Sequence, residues 1–356
     1  AAKGTELVIP SYRQFDAGPF LHVKKSVGAM DLSGGVRYDV RRYSNDAMYT
    51  RVDPATGFET AADAGSGDTT AVKQFDAYSH TFSGGSGSLG AAWNLNDRLT
   101  LKANIGRGYR APTASENTAK GVHPGTGLDP LGDQDLKPEF NLPEDLGLFY
   151  AGTHVTVSVE AFNNNISNYV YNEKLASATG GDSLFTQNGQ TFPVFKFRQT
   201  MARLYGGEIS VDIHPHPLDR LHFENTLSFV LAENKGGGGA QITDSTKYLP
   251  LIPPLHTNSE LRYDLRKRMG CFARMFVKAG VQVYAAQDRY FSAYGTETYT
   301  PGYTLLDAGV GADVLGKGGR TLFTVTVLGS NLADVGYQSN MSRLKYMDNY
   351  PVNGTG

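Results

Sequence analysis

Apolar and polar residues alternate one by one along much of the chain. In the run 99–105, Leu99, Leu101, Ala103 and Ile105 are apolar, while Thr100, Lys102 and Asn104 are polar. Val155, Val157, Val159 and Ala161 stand against Thr156, Ser158 and Glu160 in the same way. The run 221–229 puts His222, Glu224, Thr226 and Ser228 on its polar side. Period two places each set on one face of a β-strand. The connections alternate as well. Short ones fall near Lys25–Ala29, Asn94–Asp97, Ala151–Thr153, Pro215–Asp219, Arg266–Gly270 and Leu315–Gly319. Long ones fall near Ser44–Val72, Ala111–Lys137, Asn172–Thr200, Glu233–Pro250, Arg289–Pro301 and from Asn331 onward. A soluble sandwich also alternates along its strands, but it has no reason to sort its loops by parity. An outer-membrane barrel does, because its periplasmic turns are short and its external loops long. The pattern predicts an all-β, antiparallel, up-and-down transmembrane β-barrel. Leu99, Leu101, Ala103, Val155, Val157, Val159, Phe323, Val325 and Val327 should face lipid; Lys102, Glu160, Glu224 and Thr326 should face the lumen.

Composition is compatible with that architecture. The chain has 42 Gly and 20 Tyr in 356 residues, residue types that punctuate β-turns and barrel rims. Tyr109, Phe149, Tyr150, Tyr169, Tyr171, Tyr290, Phe291 and Tyr303 fall where strands meet loops, as in the aromatic girdles of membrane barrels. A formal net charge of −2 supplies no basic field for nucleic acid. No apolar run is long enough for a transmembrane helix. The mean hydropathy of −0.33 still fits a barrel, since half of each strand and all the loops are polar. The single cysteine, Cys271, excludes an internal disulfide framework. It shares its phase with Ala273, Met275, Val277 and Ala279, which predicts burial in a strand face. No signal peptide is visible at Ala1.

Candidate chemistry is sparse. Gly85, Gly87 and Gly90 satisfy G-x-G-x-x-G, but the residues that follow, Ala91–Leu95, read as strand, not the helix a nucleotide site needs. His214-Pro215-His216-Pro217 reads as a turn, with no third ligand near in sequence, so no metal site is expected. Asp129, Asp133 and Asp135 lack the spacing of a calcium loop. Gly236–Gly239 reads as a loop tip. No nucleophile, zincin or P-loop motif is present. The arrangement most like a hydrolase is His222 with Glu224 or Asp212. The chain is read as no enzyme, with no cofactor.

Asn104–Gly152 contains Gly108, Tyr109, Arg110, Ala111 and Pro112, then Asp135, Leu136, Lys137, Pro138 and Glu139. Gly207–Glu208, the Pro-rich entry Leu249–Pro254, and Asn331, Leu332, Asp334 and Tyr337 follow later. In combination these resemble the barrel motifs of TonB-dependent outer-membrane receptors. Proline stops and restarts strands at the two motifs, because it lacks an N–H and restricts the residue before it. Arg110 is therefore expected as a loop anchor paired with a carboxylate such as Glu139. The pattern supports about 12 strands and a possible thirteenth, against roughly 22 in such transporters. Residues 1–356 are thus expected to be the C-terminal part of a barrel domain, an open half-barrel if alone, without the plug domain and N-terminal strands. The resemblance implies the outer membrane of a Gram-negative bacterium and active uptake of a scarce nutrient. A TonB complex would act through the absent plug. The implied ligand is a small molecule such as a metal chelate, a ferric siderophore first, with cobalamin or an oligosaccharide as alternatives. A passive channel or a barrel-embedded hydrolase are the alternative functions. Ligand contacts are expected among Arg110, His123, Lys196, Arg198, Tyr290, Tyr294 and Tyr299 on the external loops and rim.

Overall fold

The computed structural model describes residues 7–62, 69–123, 127–187, 189–237, 242–265 and 268–342. Expectations that fall on Ala1, Gly238, Gly239, Arg266 and the chain end at Asn353–Gly356 lie outside the described residues. The strands in chain order are β1 (Tyr12–Ala17), β2 (Phe20–Val27), β3 (Met30–Asn45), β4 (Met48–Val52), β5 (Glu59–Ala62), β6 (Val72–Phe75), β7 (Tyr78–Asn96), β8 (Leu99–Arg110) and β9 (Asp129–Leu131). They continue with β10 (Glu139–Ala151), β11 (Val155–Lys174), β12 (Leu184–Gln187), β13 (Gln190–Ile213), β14 (Leu221–Gly236), β15 (His256–Asp264), β16 (Phe272–Tyr284), β17 (Tyr303–Leu315) and β18 (Thr321–Gly329).

One sheet carries the order β1-β3-β7-β8-β10-β11-β13-β14-β15-β16-β17-β18, every neighbouring pair antiparallel. β1 and β2 share the first lane: β1 pairs with the far half of β3 and β2 with its near half. The break between them falls at Gly18-Pro19, where proline has no N–H for the ladder. Consecutive antiparallel neighbours put every short connection on one edge and every long one on the other, as loop parity predicts. Among the described residues, the β1/β2 lane and β18 do not pair with each other, so the sheet is open.

The two faces separate by register. Leu148, Val159, Ile209 and Leu227 lie opposite one another across β10, β11, β13 and β14, and all four are exposed on the convex face. The adjacent row, one residue out of step, is Gly147, Glu160, Glu208 and Ser228. With Lys24, Asp31, Lys102 and Asp145, that row lines a concavity of about 710 Å³. A globular protein would hide the first row and expose the second. Here the convex side is apolar and the concave side charged, which only a lipid exterior and a wet interior satisfy.

Beyond Ala161 the polarity reverses across β11, β13 and β14. On the convex face, Asn163 donates to Glu144 (2.9 Å), Arg203 to Asn163 (2.7 Å) and Tyr205 to Glu233 (3.1 Å), while Lys235 pairs with Glu233. On the concave face, Ala202 and Ala232 bury Leu249 and Ile252, which fold in from the β14–β15 connection, with Ile166, Leu204 and Val230 packed against them. Water-facing hydrogen bonds have replaced lipid-facing side chains, so the strands stand clear of the bilayer as a collar. From Ala161 to the end of β11 the collar is about 40 Å of strand at about 3.3 Å per residue.

The structure differs from the sequence-based expectations in three places. The long connections placed at Asn172–Thr200 and Glu233–Pro250 are shorter, because β11 runs to Lys174, β13 begins at Gln190 and β14 runs to Gly236. Lys196 and Arg198 accordingly lie on β13, at the rim. Outside the membrane a strand no longer needs an apolar convex face, so its sequence reads as loop. The loop at Ser44–Val72 also holds strand, a small sheet in the order β5-β4-β6. Cys271 is exposed, not buried: it sits in the β15–β16 turn, before the alternating run of β16 begins.

Candidate functional site

At the outer rim, Arg110 is the last residue of β8 and lies opposite Glu139, the first of β10. Its Nε donates to Glu139 and its Nη1 to Glu116 at 2.8 Å. Glu116 belongs to the short helix α1 (Ala114–Thr118), closed by a capping box: the Glu116 N–H donates to Thr113 Oγ1 (3.3 Å), and the Thr113 N–H donates to Glu116 (2.7 Å). The Glu139 carboxylate also accepts the Val170 N–H. The guanidinium is thus held by two carboxylates, which fix the loop start, the strand restart and β11 to one another. The expected pairing of Arg110 with Glu139 is present, and Glu116, held in place by its capping box with Thr113, is a second partner.

The other predicted contacts lie on the rim and loops, and neither they nor Arg110 are among the residues that line the cavity beside them. Lys196 pairs with Asp133 (3.2 Å) and Arg198 with Glu173 (3.2 Å). Arg198 lies opposite Tyr171 in the ladder. His123 is exposed and its N–H donates to Leu128 O (2.8 Å). Tyr290 is half-buried, whereas Tyr294 and Tyr299 are 55% and 52% exposed. Arg110 binds Glu116, His123 bridges to Leu128, Arg198 neighbours Tyr171, and the loop of Tyr290–Tyr299 contributes Thr296. Glu116, Leu128, Tyr171 and Thr296 all line one cavity of about 270 Å³, together with Tyr169 and Phe197. Four separate sequence regions therefore converge on an aromatic-walled space at the outer end of the lumen.

The cavity's roof is cross-tied. Glu297, 2% exposed, accepts the N–H groups of Leu251 (2.9 Å) and Phe291 (3.1 Å). Gln287 and Asn340 both donate to Ile252 O (2.8 Å each), and Thr300 donates to Asn340 (3.1 Å). Nearby, His256, Tyr284, Tyr303 and Tyr337 stack in sequence at 5.5, 4.6 and 4.4 Å between ring centres. Below the roof, burial pushes the Asp129 carboxyl above the usual range, opposed by the Gly121 N–H and Lys120. Replacing Glu297 by Ala should leave two buried N–H groups without acceptors, at a cost of about 1–3 kcal/mol each. The expected result is faster proteolytic cleavage in 242–255 and 285–302 with unchanged membrane insertion. Glu297→Gln, which keeps one acceptor oxygen, should cleave at an intermediate rate.

A family model described as "TonB dependent receptor-like, beta-barrel" matches residues 4–332. The chain belongs to the TonB-dependent receptor β-barrel family. It is 23% identical over 223 residues to an iron-regulated outer membrane virulence protein of Vibrio cholerae, covering 61% of this chain and 31% of that protein. Over 117 residues it is 30% identical to the probable TonB-dependent siderophore receptor PirA of Acinetobacter baumannii, covering 30% of this chain and 15% of the relative. Among solved structures, copper transporter OprC superposes with a TM-score of 0.68 at 16% identity, over 96% of this chain and 46% of that one. The PirA crystal structure gives 0.54 at 17% identity, over 93% and 52%. The chain therefore spans under a third of the curated relatives and about half of the solved ones. The family and the relatives' names place this β-barrel in the Gram-negative outer membrane.

Proposed function

We propose that this chain forms the ligand-gathering half-wall of a receptor that imports a ferric chelate of the siderophore class. The observation that carries the reading is the convergence of four loop and rim regions on one aromatic-walled cavity above a polar lumen. Aromatic faces accept the planar arms of a chelate and the rim cations favour its negative charge. The names of the V. cholerae and A. baumannii relatives, iron-regulated and siderophore receptor, support this choice of cargo. A plug supplied outside the described residues would close the concave face, and a TonB complex would act through it.

The test uses the full-length polypeptide in detergent, titrated by calorimetry with a ferric tris-catecholate, ferric citrate and cyanocobalamin. A ferric chelate should bind. The double change Tyr171→Ala, Phe197→Ala, which removes two of the cavity's rings, should weaken it by roughly three- to tenfold, the worth of one or two ring contacts. Binding of cyanocobalamin alone, or of a ferric chelate with no loss in the double variant, would overturn the reading.

A further inference from the structure

Outside the vestibule, one cluster among the described residues has metal-ligand geometry. Asp212, His214 and His222 each offer a ligand atom, and these atoms lie within 4.8 Å of one another. Asp212 is near the end of β13, His214 follows it, and His222 returns on β14 across the turn. The rings of His214 and His222 meet edge-on at 4.4 Å, and His214 Nε2 is 2.6 Å from Asp212 Oδ2. Asp264 Oδ2 lies 3.4 Å from His222 Nε2, placed to orient that imidazole. His154 contacts the His214 carbonyl at 3.1 Å through Nδ1 and stacks near His216 at 5.6 Å. Four of the chain's eight histidines thus gather at this one hairpin.

Two further observations say that a cation is wanted there. Asp212 Oδ1 is buried with no hydrogen-bond partner. Asp212 also lies directly opposite Glu224, which lies opposite Glu260. Like charges facing each other across a ladder are destabilising. Lys278 answers Glu260 at 2.8 Å, but among the described residues neither Asp212 nor Glu224 has a Lys or Arg ion-pair partner.

We propose that Asp212, His214 and His222 form a binding site for a divalent transition cation at the periplasmic mouth of the lumen. Two imidazoles and a carboxylate are a donor set for zinc-like ions, whose bonds to such atoms are about 2.0–2.2 Å. Hard cations such as calcium and magnesium require more oxygen ligands than this cluster supplies. Asp264, bonded to Arg262 at 2.9 Å, stands at ion-pair distance from His222, where carboxylates commonly orient metal-bound histidines. The site is separate from the outer vestibule. Thr156, the ladder partner of Asp212, and Tyr171 at the cavity are about 50 Å apart along β11.

The full-length polypeptide in detergent should bind Zn²⁺ at this site by calorimetry, and Co²⁺ with the visible absorption of a nitrogen-ligated ion. His222→Asn and His214→Asn should each weaken binding by at least tenfold, and Asp264→Asn should weaken it by roughly tenfold. Excess Ca²⁺ and Mg²⁺ should not compete. His80→Ala and His123→Ala should bind as the parent does. A measurement on the unmutated protein guards against assembly defects: Zn²⁺ should protect His214 and His222 from diethylpyrocarbonate more than the other histidines. Undiminished Zn²⁺ binding in both His→Asn variants, loss of binding in the His80 or His123 variant, full competition by Ca²⁺, or no selective protection would overturn the proposal.

Discussion

Lysine in place of Val159 should block assembly of the barrel, whereas lysine in place of Ser158 should be accepted. Val159 points to the convex face within the apolar band, between Leu148 and Ile209. A lysine at bilayer mid-depth costs about 2–4 kcal/mol on a barrel exterior. Ser158, its immediate neighbour, faces the lumen and donates to Glu160 at 3.3 Å. A cation at 158 would meet water and that carboxylate. The check is the heat-modifiable band in outer-membrane fractions of cells making each full-length variant. Equal amounts from both would contradict the assignment of faces.

Expressed alone, residues 1–356 should collect in inclusion bodies and give no heat-modifiable band after refolding in detergent. The β1/β2 lane and β18 each lack a partner on one side among the described residues. Within hydrocarbon every unpaired backbone group costs several kcal/mol, and in water an open edge recruits other chains. Val325, Val327 and Phe323 are exposed on β18 beside that edge, which adds apolar surface to it. Co-expression with a segment supplying the remaining lanes should restore the band. A folded, heat-modifiable monomer from the 356 residues alone would show instead that the first and last lanes close on each other.

The membrane band was legible because one physical demand acts on every second residue. Lipid on one side and water on the other leave Val155, Val157 and Val159 no latitude, and a period of two results. Above Ala161 both faces lose that demand. Asn163, Arg203 and Glu233 face water, while Leu204 and Val230 pack under loops, so the strand continues with its code inverted and reads as connection. The Arg110–Glu139 tie was visible from two prolines and a shared phase. The Glu116 partner was written in a capping box, but only folding brings it to the same guanidinium. Cys271 was misplaced because a turn residue can share the phase of the strand after it. His222 stayed invisible as a neighbour of His214 because a hairpin, not local spacing, joins them. The vestibule's walls come from strand ends and loops far apart in sequence, and no pattern within one of them announces the others.

The collar separates two kinds of selection. Changes that permit insertion act on the band below Ala161, and changes that alter ligand preference act on the loops some tens of ångströms above it. Between them, at the level of Asn163, Arg203 and Glu233, stands hydrogen-bonded sheet that lies below the cavity walls of Tyr169 and Tyr171. Such a spacer lets the loops diverge quickly, under pressure from antibodies, phages or new nutrients, while the machinery that inserts barrels continues to recognise the same unchanged belt.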